Sequence, residues 1–318
     1  LDYTASLSGD TLEIAVSGAD MTQAEARAAI ESISYENLSE DPTGSPRRAV
    51  ITEISDTGGA ANGGREVSSP DLETRIDVVP VDDGPTLSLS ALDPDYTEGA
   101  TPAILFGSVS ADAIESGQTF SALRMQADGL VDGPDEVLVI DGTQISLVDG
   151  NSGSTVSGYG FSVSETGGRA EIAITDATLS PGGLAALIES AGYVNTSDDP
   201  DTTSSRSVTV TELTDTGSLA NGGQNTIPVS VSSSLISLTP VNDPPEVAAD
   251  PEDVDFLEDA SPVAIFDAVS VTPVEASDSV TRMRLDFSGF ADGLDETIEL
   301  DGTQIPLVDG NSGVTAGS

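Results

Sequence analysis

Apolar and polar residues alternate along many short stretches of the chain, which is the period of a half-buried β-strand. Three stretches place apolar side chains together on one face: Val208 with Val210, Ile172 with Ile174, and Ile227 with Val229 and Val231. Turn sequences rich in glycine and asparagine, such as the one at 221–223, separate the stretches. Many short strands spaced by turns predict an all-β fold, built as an antiparallel β-sandwich.

A helical period interrupts the strands at 181–190. Ser180 is suited to the N-cap, Pro181 to the first helical position, and apolar residues follow at 184, 187 and 188. We therefore expect one short helix that lays an apolar face on the sandwich. Thr22 begins a similar segment earlier in the chain.

The pattern itself repeats. The thirteen residues at 141–153 return at 301–313 with twelve identities, and segments elsewhere return after 158 or 159 residues. One unit is therefore about 159 residues long. We expect residues 1–81 to be the C-terminal half of a repeat, 82–241 a complete repeat, and 242–318 the N-terminal half of the next. This phase indicates a slice of a longer tandem array.

The most unusual property of the composition is its charge. The chain has 55 acidic residues against 10 basic ones, all of them arginine, and a net charge of −45. This balance argues against a nucleic-acid partner, because phosphate binding needs a basic surface. Two explanations remain open: an acidic surface suited to a salt-rich environment, or specific cation sites.

Catalytic chemistry has little support in the composition. Cysteine and histidine are absent, so the chain has no thiol nucleophile, imidazole base or ordinary zinc site. Paired carboxylates could suggest a glycosidase, but tryptophan platforms are missing and the acids recur in register with the repeat. We therefore expect that this protein is not an enzyme. No apolar run approaches the roughly 20 residues of a membrane span.

The acids instead mark the ends of the repeat. Two proline-bracketed pairs of carboxylate or amide residues follow strand-like runs, at 79–85 and 239–245, and a glutamate comes shortly after each. Two more acidic features lie near the end of the repeat. One is an acidic pair before the penultimate strand, and the other is an Asp-x-Gly sequence after that strand. This layout resembles the cadherin family and the cadherin-like repeats of giant bacterial surface proteins, including adhesins of the RTX type. In that family, such residues bind calcium between successive domains.

The resemblance implies Ca²⁺ at each linker and assigns ligands to it, consistent with the preference of Ca²⁺ for carboxylate and carbonyl oxygens. The linker at 240–245 would use Glu98, Asp198, Asp199, Asn242 and Asp243. The linker at 80–85 would use Glu40, Asp41, Asp82 and Asp83, with Asp215 reaching it from the following repeat. Asp56 would serve a preceding linker, and Glu258 is the early glutamate of the next repeat.

Two further motifs recur. The segments at 128–136 and 288–296 repeat two acids, Asp132 with Glu136 and Asp292 with Glu296. We interpret each segment first as a hairpin and second as another cation site. Asn37 and Asn195 begin glycosylation sequons, which we interpret as turn-forming sequences.

These observations favour a structural extender segment of a large extracellular protein, rigidified by calcium and used in bacterial surface adhesion or biofilm attachment. Its partners would be neighbouring repeats of the same chain. One alternative is the subunit of a self-assembling filament or matrix, whose copies bind laterally or end to end. A second is a carbohydrate- or ice-binding module, for which a flat array of threonine or aromatic residues would be the signature.

Overall fold

The computed structural model describes residues 1–17, 20–229, 231–251, 253–275 and 277–316. They form mostly β-strands, with two α-helices. The chain divides into two compact units, the first containing Leu1–Asp83 with Ile114–Ser116 and Ala220–Gly222, the second the remaining described residues. No described helix is long and apolar enough to cross a membrane.

Residues 1–81, the N-terminal flank, form hairpins and one helix. The elements are β1 (Asp2–Ser8), β2 (Thr11–Ser17), α1 (Gln23–Glu31), β3 (Arg47–Ile51), β4 (Ile54–Ser55), β5 (Val67–Ser68) and β6 (Leu72–Ile76). Helix α1 begins with a capping box, in which Thr22 and Glu25 satisfy each other's backbone N–H groups. The predicted N-cap at Thr22 is thus confirmed.

Residues 84–241, the central segment, carry most of the strands. They are β7 (Thr86–Ala91), β8 (Asp95–Thr97), β9 (Ala103–Ile104), β10 (Phe106–Asp112), β11 (Phe120–Asp128), β12 (Glu136–Ile140), β13 (Thr143–Ser146), β14 (Ser152–Ser154), β15 (Gly160–Glu165), β16 (Arg169–Thr175), β17 (Gly192–Asn195), β18 (Arg206–Asp215), β19 (Thr226–Pro228) and β20 (Ser234–Thr239). Helix α2 (Pro181–Glu189) lies between β16 and β17.

Three sheets result. The largest runs in the order β14-β15-β16-β11-β18-β20-β8, with β19 also on β18; the others are β13-β12-β17-β9 and β10-β7. All pairs are antiparallel except β20 with β8, which run parallel with Thr239 opposite Thr97. Because β11 and β12 belong to different sheets, the segment between them crosses from one sheet to another. The predicted hairpin at 128–136 is therefore wrong.

One apolar cluster joins the eight-stranded sheet, the four-stranded sheet and α2. Its members include the predicted one-face pairs Val208 with Val210 and Ile172 with Ile174, all buried. Helix α2 is capped by Ser180, whose hydroxyl accepts the Gly183 N–H at 3.2 Å. Leu184, Leu187 and Ile188 point into the cluster, as their spacing predicts. These elements confirm the all-β expectation with one short helix in this segment.

Residues 242–316, the C-terminal flank, contain β21 (Glu246–Pro251), β22 (Phe266–Thr272), β23 (Thr297–Leu300) and β24 (Thr303–Pro306). Both flanks pair their strands in the register of the central segment. Ala5 faces Ile14 as Val163 faces Ile172, and Arg47 faces Ile76 as Arg206 faces Ile236. In the C-terminal flank, Thr297 faces Pro306 as Val137 faces Ser146.

Candidate metal centre

Three carboxylates meet where the central segment runs into its second linker. One oxygen each of Glu98, Asp198 and Asp243 lies within 4.8 Å of the other two. Glu98 directly follows β8 and Asp243 follows β20, and these parallel strands end at the same edge of the sheet. The Glu98 N–H donates to the Thr239 carbonyl at 3.0 Å, which fixes the first carboxylate beside the linker.

Asp198 is brought to this edge by the end of β17. The buried Tyr96 side chain donates its hydroxyl hydrogen to the Asn195 carbonyl at 3.0 Å. Its ring also packs edge-on against Tyr193, with centroids 5.7 Å apart at an interplanar angle of 87°. This aromatic contact joins β8 to β17, so the loop that carries Asp198 stays next to Glu98.

The local electrostatics favour a cation. Burial, followed by the nearby charges of Asp243 and Asp198, raises the pKa of Glu98, although the Val241 N–H donates to its Oε2 at 2.8 Å. The open pocket around the three acids has a volume of about 430 Å³ and is lined by no basic side chain. The carboxylates therefore repel one another without a counter-charge from the pocket wall.

The spacing fits a calcium ion. Two oxygens bound to one Ca²⁺ at about 2.4 Å can lie up to about 4.8 Å apart. Three oxygens within 4.8 Å of one another lie no more than about 2.8 Å from a common point, so side-chain shifts of a few tenths of an ångström would let one ion contact all three carboxylates. Carboxylates can bind Ca²⁺ through one or both oxygens, and main-chain carbonyls or water complete six to eight ligands.

The five predicted ligands of this linker divide into two groups. Glu98, Asp198 and Asp243 form the cluster, hereafter the acidic triad. Asp199 lies outside the triad, and its N–H donates to the Ser197 hydroxyl at 3.2 Å. The Asn242 amide nitrogen donates to the Asp243 carbonyl at 3.0 Å, which orients that side chain along the linker backbone.

The first linker has a different arrangement. Glu40, Asp41, Asp82 and Asp83 belong to the first unit, and within the described part of the chain they form no group of three comparable to the triad. Asp41 Oδ2 accepts the Ser116 N–H at 3.0 Å, and Asp82 is nearly buried. The Asp83 N–H donates to Glu115 Oε1 at 2.7 Å.

Glu115 was not among the predicted site residues, yet its contact recurs. Glu275, 160 residues later, accepts the N–H of Asp243 in the second linker just as Glu115 accepts that of Asp83. In both glutamates Oε2 is buried and finds no hydrogen-bond partner among the described residues. The sequence contained a signal for this contact: a glutamate follows Asp83 by 32 residues and another follows Asp243 by 32 residues.

The other predicted ligands hold turns or lie at the surface. The Oδ1 atoms of Asp215 and Asp56 each accept the N–H of the glycine two residues later, at 2.8 Å. Asp215 is buried, whereas Asp56 is exposed. Glu258 is exposed in the C-terminal flank. The sequon residues Asn37 and Asn195 also close turns, each accepting the N–H of the serine two residues on at 2.9 Å.

The suggested cation site at Asp132 and Glu136 is filled by an arginine of the chain itself. The Arg206 guanidinium donates to Glu136 Oε1 at 3.0 and 3.1 Å and to Asp132 Oδ2 at 2.7 Å. Tyr193 donates its hydroxyl hydrogen to Glu136, and the Asn195 amide donates to Asp132 at 2.6 Å. This buried network satisfies both acids, so the cation-site interpretation of this motif is wrong.

No family model, curated protein or solved structure matches the chain. Among the described residues, the acidic triad is the arrangement with the most specific chemistry.

Proposed function

We propose that the chain is an extender segment of a large extracellular repeat protein, in which Ca²⁺ bound at the acidic triad stiffens the linker between tandem cadherin-like β-sandwiches. The observation that carries this proposal is the convergence of Glu98, Asp198 and Asp243 at a spacing that one Ca²⁺ can span. The layout of acids at the repeat ends, which resembles cadherins, points the same way.

Stiffening follows from where the three acids sit in the sequence. Glu98 and Asp198 belong to the body of the central segment, whereas Asp243 belongs to the linker that leads into the C-terminal flank. An ion shared by all three would tie the linker to the body. The neighbouring residues Pro240, Pro244 and Pro245 already restrict the linker backbone, which lowers the entropy lost on ordering it.

Bound calcium would neutralise only part of the charge. The net charge is −45, and each Ca²⁺ contributes two positive charges. Most acids would remain as solvated surface charge, which suits an extended protein that stays soluble and apart from its neighbours. In the proposed role, adhesion or biofilm attachment, the protein is exported from a bacterium. Millimolar calcium outside the cell would keep such a site filled.

The test is to titrate the chain with calcium at low salt, to measure binding by calorimetry, and to measure thermal unfolding with and without calcium. At a free Ca²⁺ concentration 100 times the dissociation constant, binding should stabilise the folded state by about 2.7 kcal/mol, and a chelator should remove this gain. Small-angle scattering should show a narrower distribution of dimensions with calcium than with chelator.

Two variants sharpen the test. Asp243→Asn removes a triad carboxylate and should abolish most of the calcium effect. Asp95→Asn, an exposed acid on β8 outside the triad, removes the same charge and should leave it intact. The proposal fails if wild-type unfolding is indifferent to calcium, or if both variants weaken binding equally.

A further inference from the structure

The loop between β17 and β18 carries one ligand of the acidic triad. Asp198 lies in the middle of residues 196–205, which form no helix or strand. Asp198 is exposed, so its position beside Glu98 depends on how the rest of the loop is held. The hydrogen bonds at both ends of this loop lead to one buried network, the same network that holds Arg206.

The first end of the loop is bonded to the segment that precedes β12. Thr196 donates its N–H to the Asp135 carbonyl at 2.9 Å and its hydroxyl hydrogen to Asp135 Oδ1 at 2.8 Å. One residue earlier, the Asn195 amide nitrogen donates to Asp132 Oδ2 at 2.6 Å, and the amide oxygen accepts the Ser197 N–H at 2.9 Å. The backbone is therefore fixed just before the triad ligand.

The second end of the loop is fixed by backbone contacts. The Asp201 N–H donates to both oxygens of Asp132 at 3.2 Å. The Arg206 guanidinium donates to the Ser204 carbonyl at 2.7 Å and also to the Asp201 carbonyl. Pro200 is buried between these contacts and the triad ligand. The triad carboxylate of this loop thus lies between two anchored stretches of backbone.

One buried network anchors both ends. The carboxylate of Asp132 accepts hydrogen bonds from both ends of the loop and from the arginine, the donors being Asn195, Asp201 and Arg206. Arg206 also donates to Glu136 at 3.0 and 3.1 Å. The side chains of Arg206 and Asp132 are only 1% and 10% exposed. Because water is largely excluded, these charge-assisted bonds hold the loop ends in one geometry.

The first copy of this loop has the same arginine contact. Glu40 occupies the place of Asp198 in the repeated sequence, and an arginine again follows the acidic pair and its proline. This arginine, Arg47, donates to the Thr43 carbonyl at 3.2 Å and to the Ser45 carbonyl. An arginine that closes the acid-bearing loop through two backbone carbonyls is therefore a recurring feature of the chain.

We infer that Arg206, together with Asp132, is a positioning residue for calcium: the buried network holds the loop so that Asp198 lies beside Glu98 before the ion binds. The inference rests on the proposed function, because it concerns the same site. A loop fixed at both ends loses less conformational entropy on binding an ion, so the network raises calcium affinity without contacting calcium. The positive charge of Arg206 alone would have the opposite effect, since like charges repel.

The experiment measures the calcium dissociation constant of the 318-residue chain by calorimetric titration with CaCl₂ at low salt. Arg206→Lys keeps the charge but lacks the planar fork that reaches two carbonyls and two carboxylates, so it should raise the dissociation constant about 10- to 100-fold. Arg206→Met should also weaken binding, although loss of a nearby cation by itself would strengthen it. An unchanged dissociation constant in R206K, or a lower one in R206M, overturns the inference.

Two further variants separate positioning from stability. Leu184→Ala removes a fully buried side chain of α2 and destabilises the same segment without altering the loop. Titrated below its unfolding transition, L184A should bind calcium as the wild type does, and a loss equal to that of R206K overturns the inference. Thr196→Val removes only the exposed hydroxyl contact with Asp135 and should weaken binding up to about fivefold. If R206K does not fold, unchanged binding in T196V overturns the inference.

Hydrogen exchange of the loop distinguishes this inference from the calcium proposal. In chelator, the amides of Thr196 and Asp201 should exchange faster in R206K than in the wild type, and equal exchange overturns the inference. With calcium these amides should gain protection in the wild type but not in Asp243→Asn, because coupling between ion and loop is reciprocal. If the wild type binds no calcium, the proposed function fails and this inference with it. If the wild type and R206K bind equally, only this inference fails.

Discussion

Replacement of Arg206 by methionine tests whether the buried ionic network holds the central segment together. Arg206 and Glu136 have side chains that are 1% and 0% exposed, and Asp132 is nearly buried beside them. Methionine keeps much of the side-chain volume but removes the charge and all the hydrogen bonds that the guanidinium donates. Two carboxylates would then remain inside the protein without a cation.

The size of the effect follows from that burial. Removal of one partner of a buried ion pair costs about 3–5 kcal/mol, because the remaining charge loses its compensation. Arg124 on β11 and Glu212 opposite it on β18 form a contrasting pair, at 2.8 Å but with both side chains exposed. Arg124→Met should therefore destabilise the protein by less than about 1 kcal/mol.

Hydrogen exchange of the backbone amides of β18 measures the local stability of this strand in both variants. The whole chain then need not be treated as a two-state system. The R206M chain should lose most of the protection of these amides, while R124M should retain it. Adding Glu136→Gln to R206M should recover part of the loss, since the buried carboxylate is then neutral. Equal effects of R206M and R124M would refute the assigned role of the network.

Two other perturbations have defined outcomes. Burial, followed by the charge of Glu136, raises the pKa of the Tyr193 hydroxyl in the folded protein. The free energy of unfolding should therefore be unaffected below the unfolded tyrosine pKa of about 10 and should fall above it by up to about 1.4 kcal/mol per pH unit. Tyr193→Phe should flatten this alkaline decline in thermal unfolding, and an unchanged slope would contradict the assignment. Gly129→Ala should destabilise by about 2–4 kcal/mol in urea unfolding, because φ is +80° and the new Cβ would lie 2.1 Å from the Ser205 carbonyl oxygen. Gly117→Ala, at φ +88° with open space around it, should cost only about 1 kcal/mol, and equal losses would show that the contact with Ser205 does not matter.

Local patterns predicted the parts of the fold that depend on neighbouring residues. The period-2 runs identified the buried faces of β16 and β18, and the cap and spacing at Ser180 identified α2. The parallel pairing of β8 with β20 had no such signal, because β8 has three residues and its partner lies about 140 residues later. Yet this pairing brings Glu98 beside the linker and so positions the triad.

Side-chain roles were harder to predict than positions. Asp198 and Asp199 are adjacent acids, and only the three-dimensional path of the loop determines which of them joins the triad. Asp132 and Glu136 suggested a cation site because their partner, Arg206, lies 70 or more residues away. A sequence pattern shows that acids are grouped, but only the fold shows whether an arginine already compensates them.

Comparison of the flanks with the central segment separates strands that form from neighbouring residues from strands that need distant partners. Hairpins β1–β2 and β23–β24 form with the registers of the central segment although their strands are largely exposed, because a short turn closes each pair at little entropic cost. The stretch at 279–290 has no strand, whereas its counterpart β11 lies between β16 and β18. Strand β11 therefore requires partners from later in the repeat.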